Sequence, residues 1–452
     1  RHVDRMGQWF FWNGVYWNAA EKREEFTQVR EFMAERVREV MTYADDIAER
    51  LPTDDDRKKM RTWAKGQRDK LQDARTIAAV EGLARSNAAS AAAHNEFDAD
   101  PALLGTPGGV VDLRTGRLRA PDRADMLSKV TAVAPAAPGE RPQRWLRFLD
   151  QVFAGDAEII ELWQRLSGYA LTGETREHKL PFAVGGGRNG KSVLLETLRE
   201  VMGDYGGTAN TSVFLQSKNP QHSTDIASMR GKRLIVASKL PAGAVWNEVV
   251  LKSLTGGDML SARFMRQDLI EFKLNATFII AGNTAPNLHT VDVAMRERLM
   301  LLPFNVTFTN DPENLQQPGF LPRDNNLADA LRAEFPAILR WMIDGAVMWY
   351  RDGLKVPTVI AAASDDYMNT QDLVLEWIAD DCEREDGAFL PNEDMLPRFN
   401  AWLDRSGIRN GWSQKRLTTQ LQHNGFETVK NRVGYRFMRG VNGLRLRDDE
   451  II

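Results

Sequence analysis

The residues whose chemical purpose is clearest are Gly185-Gly186-Gly187-Arg188-Asn189-Gly190-Lys191-Ser192. They fit the pattern G-x-x-x-x-G-K-[ST] at every fixed position. A loop of this kind is built to take the phosphates of a nucleotide. Its glycines let successive backbone N–H groups turn inward around phosphate oxygens. Lys191 brings positive charge to the outer phosphates, and Ser192 brings a hydroxyl to a magnesium ion carried by the nucleotide. The helix that continues through Val193 adds the partial positive charge of its N-terminus. The expected ligand is ATP with Mg2+, held by Gly185 through Val193.

Hydrolysis needs more than a cradle. The apolar run Arg233–Ser238 reads as a second strand, and in such motors an acid follows it to hold the Mg2+ shell and orient the attacking water. Here the next residue is Lys239, which can do neither. Asp225, Glu248 and Asp258 are the acids close by in sequence, with Glu248 the preferred substitute and a turn or helix-surface role the rival reading of each. A third strand, Ala276–Ala281, runs into Gly282-Asn283-Thr284. Asn283 stands where a polar side chain can sense the γ-phosphate or its water, unless it simply serves the turn. Arg296 and Arg298 precede a fourth apolar run, 300–304. Either is a candidate for the arginine that one subunit inserts into its neighbour's site, against ordinary surface pairing with Glu297.

A phosphate loop works only between a strand and a helix, and both are expected. Lys179–Val184 supplies the strand and Val193–Leu198 the start of the helix. From 179 to about 304 short apolar runs alternate with helical patterns, which is the signature of an α/β fold with a parallel sheet. Before this core, Trp9, Trp12 and Trp17 around Asn13-Gly14 read as a hairpin with a small aromatic core, base stacking being the alternative. Helical spacing of Phe26, Val29, Phe32, Met33, Val37, Val40 and Met41 predicts a helix that breaks at Leu51-Pro52-Thr53. A second helical stretch is expected over 57–87. Residues 97–135 are turn-rich with short strands, 135–142 read as a linker, and 143–175 and 327–350 are helical.

Two regions carry chemistry suited to a polyanion. Ser261–Lys273 reads as a hairpin with basic tips, so Arg263, Arg266 and Lys273 are candidates for non-specific phosphate contacts. Residues 405–446 hold nine Lys or Arg against one acid, Glu427, in a chain of net charge −3. Within them Ser413–Gln422 reads as a capped helix and 429–446 as a hairpin turning near Gly434 and Gly440. Helix followed by basic hairpin is a winged-helix-like pattern, and Lys415, Arg416, Lys430 and Arg432 are its candidate DNA contacts. A protein-docking module is the bland alternative.

Bulk properties narrow the classes. The single cysteine, Cys382, rules out a disulfide framework and fits a reducing cytosol. No apolar run reaches the roughly 20 residues that cross a bilayer, so no membrane partner is expected. The chain opens without an initiator methionine or a signal peptide, as a segment of a longer protein would.

In order, these motifs resemble the C-terminal helicase part of phage and plasmid primases, a family that includes poxvirus-type primase-helicases. The stretches Trp9–Trp17, Leu104–Gly116, Gly168–Gly173, Gly187–Ser192 and Leu254–Asp258 through Arg263 carry the resemblance. It implies a superfamily 3 helicase of the AAA+ fold, acting as a hexameric ring on single-stranded or forked DNA inside the host cell. It also implies a helical collar before the motor and a primase-polymerase domain or protein as companion. On this reading the chain comprises an aromatic hairpin and helical region (1–95), a β connector (96–142), the ATPase core with its preceding helices (143–310), a helical extension (311–365) and a winged-helix-like basic domain (366–452). The family has a glutamate where Lys239 stands, and a pair of arginines where Glu297-Arg298 stand. The expected function is an ATP-hydrolysing replicative helicase of a phage, plasmid or mobile element. The alternative is a nucleotide-dependent DNA-binding or loading factor that hydrolyses weakly, and a metabolic kinase is disfavoured.

Overall fold

The computed structural model describes residues 1–452 except 94, 217–222, 242–243, 264–268, 289–291, 371, 409–410 and 448–452, and omits the side chains of Arg5, Ser223 and His423. The chain divides into two compact units, Arg1–Pro135 and Ala136–Ile452.

In the first unit, β1 (His2–Val3), β2 (Gln8–Trp12) and β3 (Trp17–Ala19) form an antiparallel sheet with Trp12 opposite Trp17. The Asn13 side-chain oxygen accepts from the N–H groups of Val15 and Tyr16, both at 2.9 Å, and so closes the turn. Phe10 and Trp17 are buried against Phe97, which makes the hairpin an aromatic core. Helices α1 (Glu24–Arg50), α2 (Asp54–Gln72) and α3 (Ala74–Arg85) follow. The break at Pro52 is as expected, and Thr53 caps α2 by accepting from Asp56 N–H. The stretch expected as one helix over 57–87 is two. The Asp73 carboxylate accepts from the N–H groups of Arg75 and Thr76 and starts a new helix, the ordinary work of an N-cap aspartate. On α1, Met33 and Val37 are buried, but Phe32 remains 51% exposed. Strands β4 (Leu103–Thr106), β5 (Gly109–Asp112) and β6 (Arg117–Arg119) make a second small antiparallel sheet.

The second unit opens with α4 (Gln143–Val152) and α5 (Ala157–Thr172). The α/β core comprises β7 (Leu180–Val184), α6 (Lys191–Val201), β8 (Gly206–Thr208), α7 (Ser223–Ser228), β9 (Leu234–Ser238) and α8 (Glu248–Gly256). It continues through a hairpin of β10 (Met259–Ala262) and β11 (Ile270–Lys273), then β12 (Thr277–Gly282), α9 (Val293–Arg298) and β13 (Leu299–Pro303). Five strands form one parallel sheet in the order β13–β7–β12–β9–β8. Its strands read as continuous apolar runs because both faces are covered: Phe182, Ile235, Phe278 and Ile280 are each at most 1% exposed. The loop-bearing strand β7 lies between β12 and β13, so the carboxyl ends of three strands meet around the segment that leaves it. In open α/β sheets ligands bind at that edge.

Beyond the sheet come β14 (Thr307–Thr309), β15 (Phe320–Pro322), α10 (Leu327–Ala333), α11 (Phe335–Asp352) and α12 (Thr358–Thr370). Helices α5 and α11 cross at backbone distance. A Cβ on Gly168 would lie 2.0 Å from the Ala346 nitrogen, and one on Gly345 would lie 2.0 Å from the Gln164 carbonyl oxygen. Gly168→Val is therefore expected to force the helices apart at a cost of about 3 kcal/mol. Thermal denaturation followed by circular dichroism should show a melting point lower by roughly 5 °C or more.

The chain ends with α13 (Leu373–Asp381), β16 (Cys382–Pro391), α14 (Asn392–Arg405), α15 (Gln414–His423), β17 (Thr428–Val433) and β18 (Arg436–Leu446). Trp377, Phe399, Leu417, Leu421, Val441 and Leu444 form its core. Ser413 caps α15 as expected. The sheet order is β16–β18–β17, so a strand unforeseen in the sequence covers the hairpin's far side. Gly434 sits in the hairpin turn. Gly440 does not: it lies inside β18, where a Cβ would stand 2.3 Å from the Leu390 carbonyl oxygen. Cys382 is buried, which pushes its thiol up to about 12 and leaves it unreactive. Among the described residues no helix is long and apolar enough to cross a membrane.

Candidate nucleotide site

Parallel pairing sets Val184 beside Gly282 on one flank and beside Pro303 on the other. The loop 185–190 therefore starts at the same edge where Asn283 follows β12, and both reach a cavity of about 770 Å3. Two loop glycines are required by crowding. A Cβ on Gly185 would lie 2.4 Å from the Phe304 carbonyl oxygen, and one on Gly190 would lie 2.8 Å from Val152 Cγ2 of α4. The loop is thus clamped between the end of β13 and a helix from before the core. Arg188 holds a left-handed backbone, φ +51°, and its carbonyl accepts from Phe308 N–H at 2.7 Å.

Lys191 is 7% exposed. Its Nζ donates to the Gly185 carbonyl at 2.6 Å and to Asn189 Oδ1 at 3.0 Å. Asn189 in turn donates to the Phe304 carbonyl at 3.2 Å. Among the described residues Lys191 has no ion pair, and burial pulls its pKa down to about 8. An ammonium desolvated and held only by neutral acceptors is stabilised by any anion that reaches it. The donor set fits a triphosphate: this ammonium, the N-terminus of α6 and the exposed Ser192 hydroxyl all meet the cavity.

A pH dependence follows. The unliganded ammonium loses its proton as pH rises through about 8, whereas bound phosphate holds it. Affinity for ATP should be flat below that pH and then fall by up to about tenfold per pH unit. The terminal phosphate, with a second pKa of about 6, is fully ionised throughout that window. Titration with a fluorescent ATP analogue checks this, and Lys191→Arg should abolish the fall.

The far wall was not legible in the sequence. Arg144, Arg147 and Gln151 of α4 line the cavity, with Arg323, Asp324 and Phe308 from the segment after β13. The one carboxylate among the lining residues, Asp324, is ion-paired with Arg144. The cavity is therefore strongly cationic. The signal in α4 was its amphipathic pattern: Trp145, Phe148, Leu149 and Val152 are buried, which leaves Arg144, Arg147 and Gln151 on the opposite face.

The acids considered as substitutes are not brought to the loop. Lys239 follows β9 at the carboxyl edge, exposed and with φ +69°. Glu248 is the first residue of α8, fixed there by the Asn247 cap, and its charge acts on Arg416 and Tyr367. Neither it nor Asp225 nor Asp258 lines the cavity. Arg298 donates to Thr255 Oγ1 at 3.1 Å and to the Ala294 carbonyl at 2.9 Å. Arg296 donates to Asn369 Oδ1 at 3.1 Å. Both arginines lie on α9, away from their own cavity.

Of the residues considered for DNA, Arg263 is exposed directly after β10. Lys273 is opposite Met259, which puts it at the base of the hairpin rather than its tip. Arg266 lies outside the described residues. Lys415, Lys430 and Arg432 are exposed. Arg416 instead stacks on Trp412, 3.8 Å from the ring centroid, and burial lowers its pKa.

Residues 1–154 match the family model described as D5 N terminal like, and residues 183–298 match a family of unknown function (DUF5906). Three viral proteins are similar. Putative helicase L207/L206 of Acanthamoeba polyphaga mimivirus is 24% identical over 72% of this chain and 35% of its own length. The similarly named V13 of Sputnik virophage is 27% identical over 35% of this chain and 21% of its own. The similarly named 184R of Invertebrate iridescent virus 6 is 25% identical over 49% and 24%. The chain thus spans about a third or less of these relatives. Among solved structures, the apo C-terminal region of NrS-1 aligns with 69% of this chain and 78% of that one at 12% identity and a TM-score of 0.43. The N-terminal family match and the helicase-named viral relatives, with the motifs they accompany, support a phage and viral primase-helicase family for this chain.

Proposed function

We propose that the chain is the motor part of an ATP-dependent DNA helicase or translocase. One observation carries the proposal: a buried Lys191 ammonium without a carboxylate partner among the described residues, at the start of α6, facing a cationic cavity. Backbone N–H groups of 187–193 and Lys191 would hold the β- and γ-phosphates, and Ser192 would hold the magnesium ion that neutralises charge on them. Asn283 would meet the γ-phosphate or its water. Arg147 and Arg323 would add charge from the far wall. Arg298, or Arg296, would serve a neighbouring protomer, which requires a ring, a hexamer on the family's pattern, and release of Arg298 from Thr255.

In this reading the parallel sheet is an AAA+ core of superfamily 3 type, and residues 366–452 act as a winged-helix-like module. Arg263 and Lys273 grip single-stranded DNA, while Lys415, Lys430 and Arg432 add non-specific phosphate contacts. The names of the viral relatives support a helicase, and the chain accounts for only part of their length. A primase companion and action inside the host cell belong to the same proposal.

The test is steady-state ATP hydrolysis with and without single-stranded DNA, followed by strand displacement on a fork. DNA-stimulated turnover with displacement is the expected result, and failure to take up ATP with Mg2+ overturns the proposal. Lys239 favours a second reading, a nucleotide-dependent DNA-loading factor. Tight ATP binding without turnover would decide for it.

A further inference from the structure

The hairpin β17–β18 holds its aromatic side chains away from the core beneath it. Tyr435, in the turn, is 99% exposed, and Phe437 is 68% exposed. Register places Phe437 opposite Arg432, and Lys430 opposite Arg439. Residues opposite one another, and residues two apart, share a face of an antiparallel pair. One face therefore presents an aromatic ring among three cations, and the Lys430 ammonium lies 5.6 Å from the Phe437 ring centroid. Residues 428–443 contain no acid. Lys430, Arg432 and Arg439 are exposed and, among the described residues, form no ion pair. Arg445, at the other end of the strand, pairs with Glu383, so the cations left unpaired gather around the rings.

A partner that satisfies such a surface must offer repeated negative charge and flat π-faces together. An intact duplex offers phosphates while its base faces are stacked on one another. An acidic peptide offers charge without rings. Unpaired nucleotides offer both. We propose that this hairpin is a stacking clip for single-stranded nucleic acid. Phe437 and Tyr435 stack on unpaired bases, while Lys430, Arg432 and Arg439 hold the adjoining phosphates. The clip rests on the DNA-acting function proposed above but needs no nucleotide.

The test is fluorescence anisotropy of the full chain without ATP, on three probes: a thymidine oligonucleotide, an abasic strand of equal length and charge, and a duplex. Tyr435→Ala/Phe437→Ala should weaken binding to the thymidine strand at least fivefold, with the abasic strand unaffected and the salt slope unchanged. Arg432→Gln/Arg439→Gln should weaken both strands and flatten the salt dependence. Equal loss on thymidine and abasic strands, or no loss on either, overturns the clip. So does preferential binding of phosphatidylserine vesicles that the aromatic substitutions remove. A Lys191→Met control that loses ATP but keeps the stacking-dependent binding leaves the clip standing even if the motor proposal fails.

Discussion

Replacing Lys191 by methionine is expected to cut ATP affinity more than a hundredfold while leaving the melting temperature unchanged or higher. The two effects have one cause. The ammonium is 7% exposed and meets, among the described residues, the Gly185 carbonyl, Asn189 Oδ1 and, 6.0 Å from its centroid, the Phe304 ring, none of them charged, so its desolvation is poorly offset in the unliganded protein. Methionine fills similar space without a charge, and removing an uncompensated buried charge tends to be neutral or stabilising. Bound phosphates reverse the balance. Truncating one member of a desolvated charge pair costs about 2–5 kcal/mol, and the phosphates gain no other ammonium from this loop. Calorimetric ATP titration beside a thermal melt checks both halves. A variant that melts earlier and binds ATP normally would show that Lys191 braces the loop rather than meeting a ligand.

Arg298→Ala is expected to lower turnover by about a thousandfold or more with ATP binding nearly unchanged, the loss typical of an arginine finger. The residue lies outside its own cavity and is tied to Thr255 and the Ala294 carbonyl, so in the proposed ring its contact with phosphate would cross to a neighbour. Mixing gives the decisive measurement. On the proposed ring the Lys191→Met protomer would keep its finger and the Arg298→Ala protomer its pocket, so a mixture is expected to regain part of the turnover that each lacks alone. If Arg298 serves only its own fold, the mixture stays inactive and Arg298→Ala melts earlier. Arg296→Ala, whose partners are Asn369 and Asp365, is the parallel variant: the same loss and rescue there, and not at Arg298, would assign the finger to Arg296.

The missing acid after β9 bears on the same experiment. No acid near it in sequence reaches the cavity, because Asn247 fixes Glu248 at the start of α8, within reach of the charge on Arg416. Sequence proximity was a poor guide there, since a strand and the helix after it carry neighbouring residues to different sides of a sheet.

The sequence by itself determined the local features. Gly185–Ser192 declared the loop, because its geometry depends on residue types at fixed spacing. Asn13-Gly14 declared a hairpin, Pro52-Thr53 a helix boundary and Ser413 a cap, because each acts within a few residues of itself. Apolar runs declared the buried parallel strands. Only the tertiary structure decided what lies across from these elements. It brought Arg144, Arg147 and Arg323 to the cavity from segments on either side of the core, and set Gly168 against Gly345 at backbone distance. It also placed Gly440 under Phe389 rather than in a turn, moved Lys273 to the base of its hairpin, and turned Tyr435 and Phe437 outward. None of these is written in a local pattern. Each follows from strand order, register and helix crossing, which are fixed by burying all the apolar faces at once.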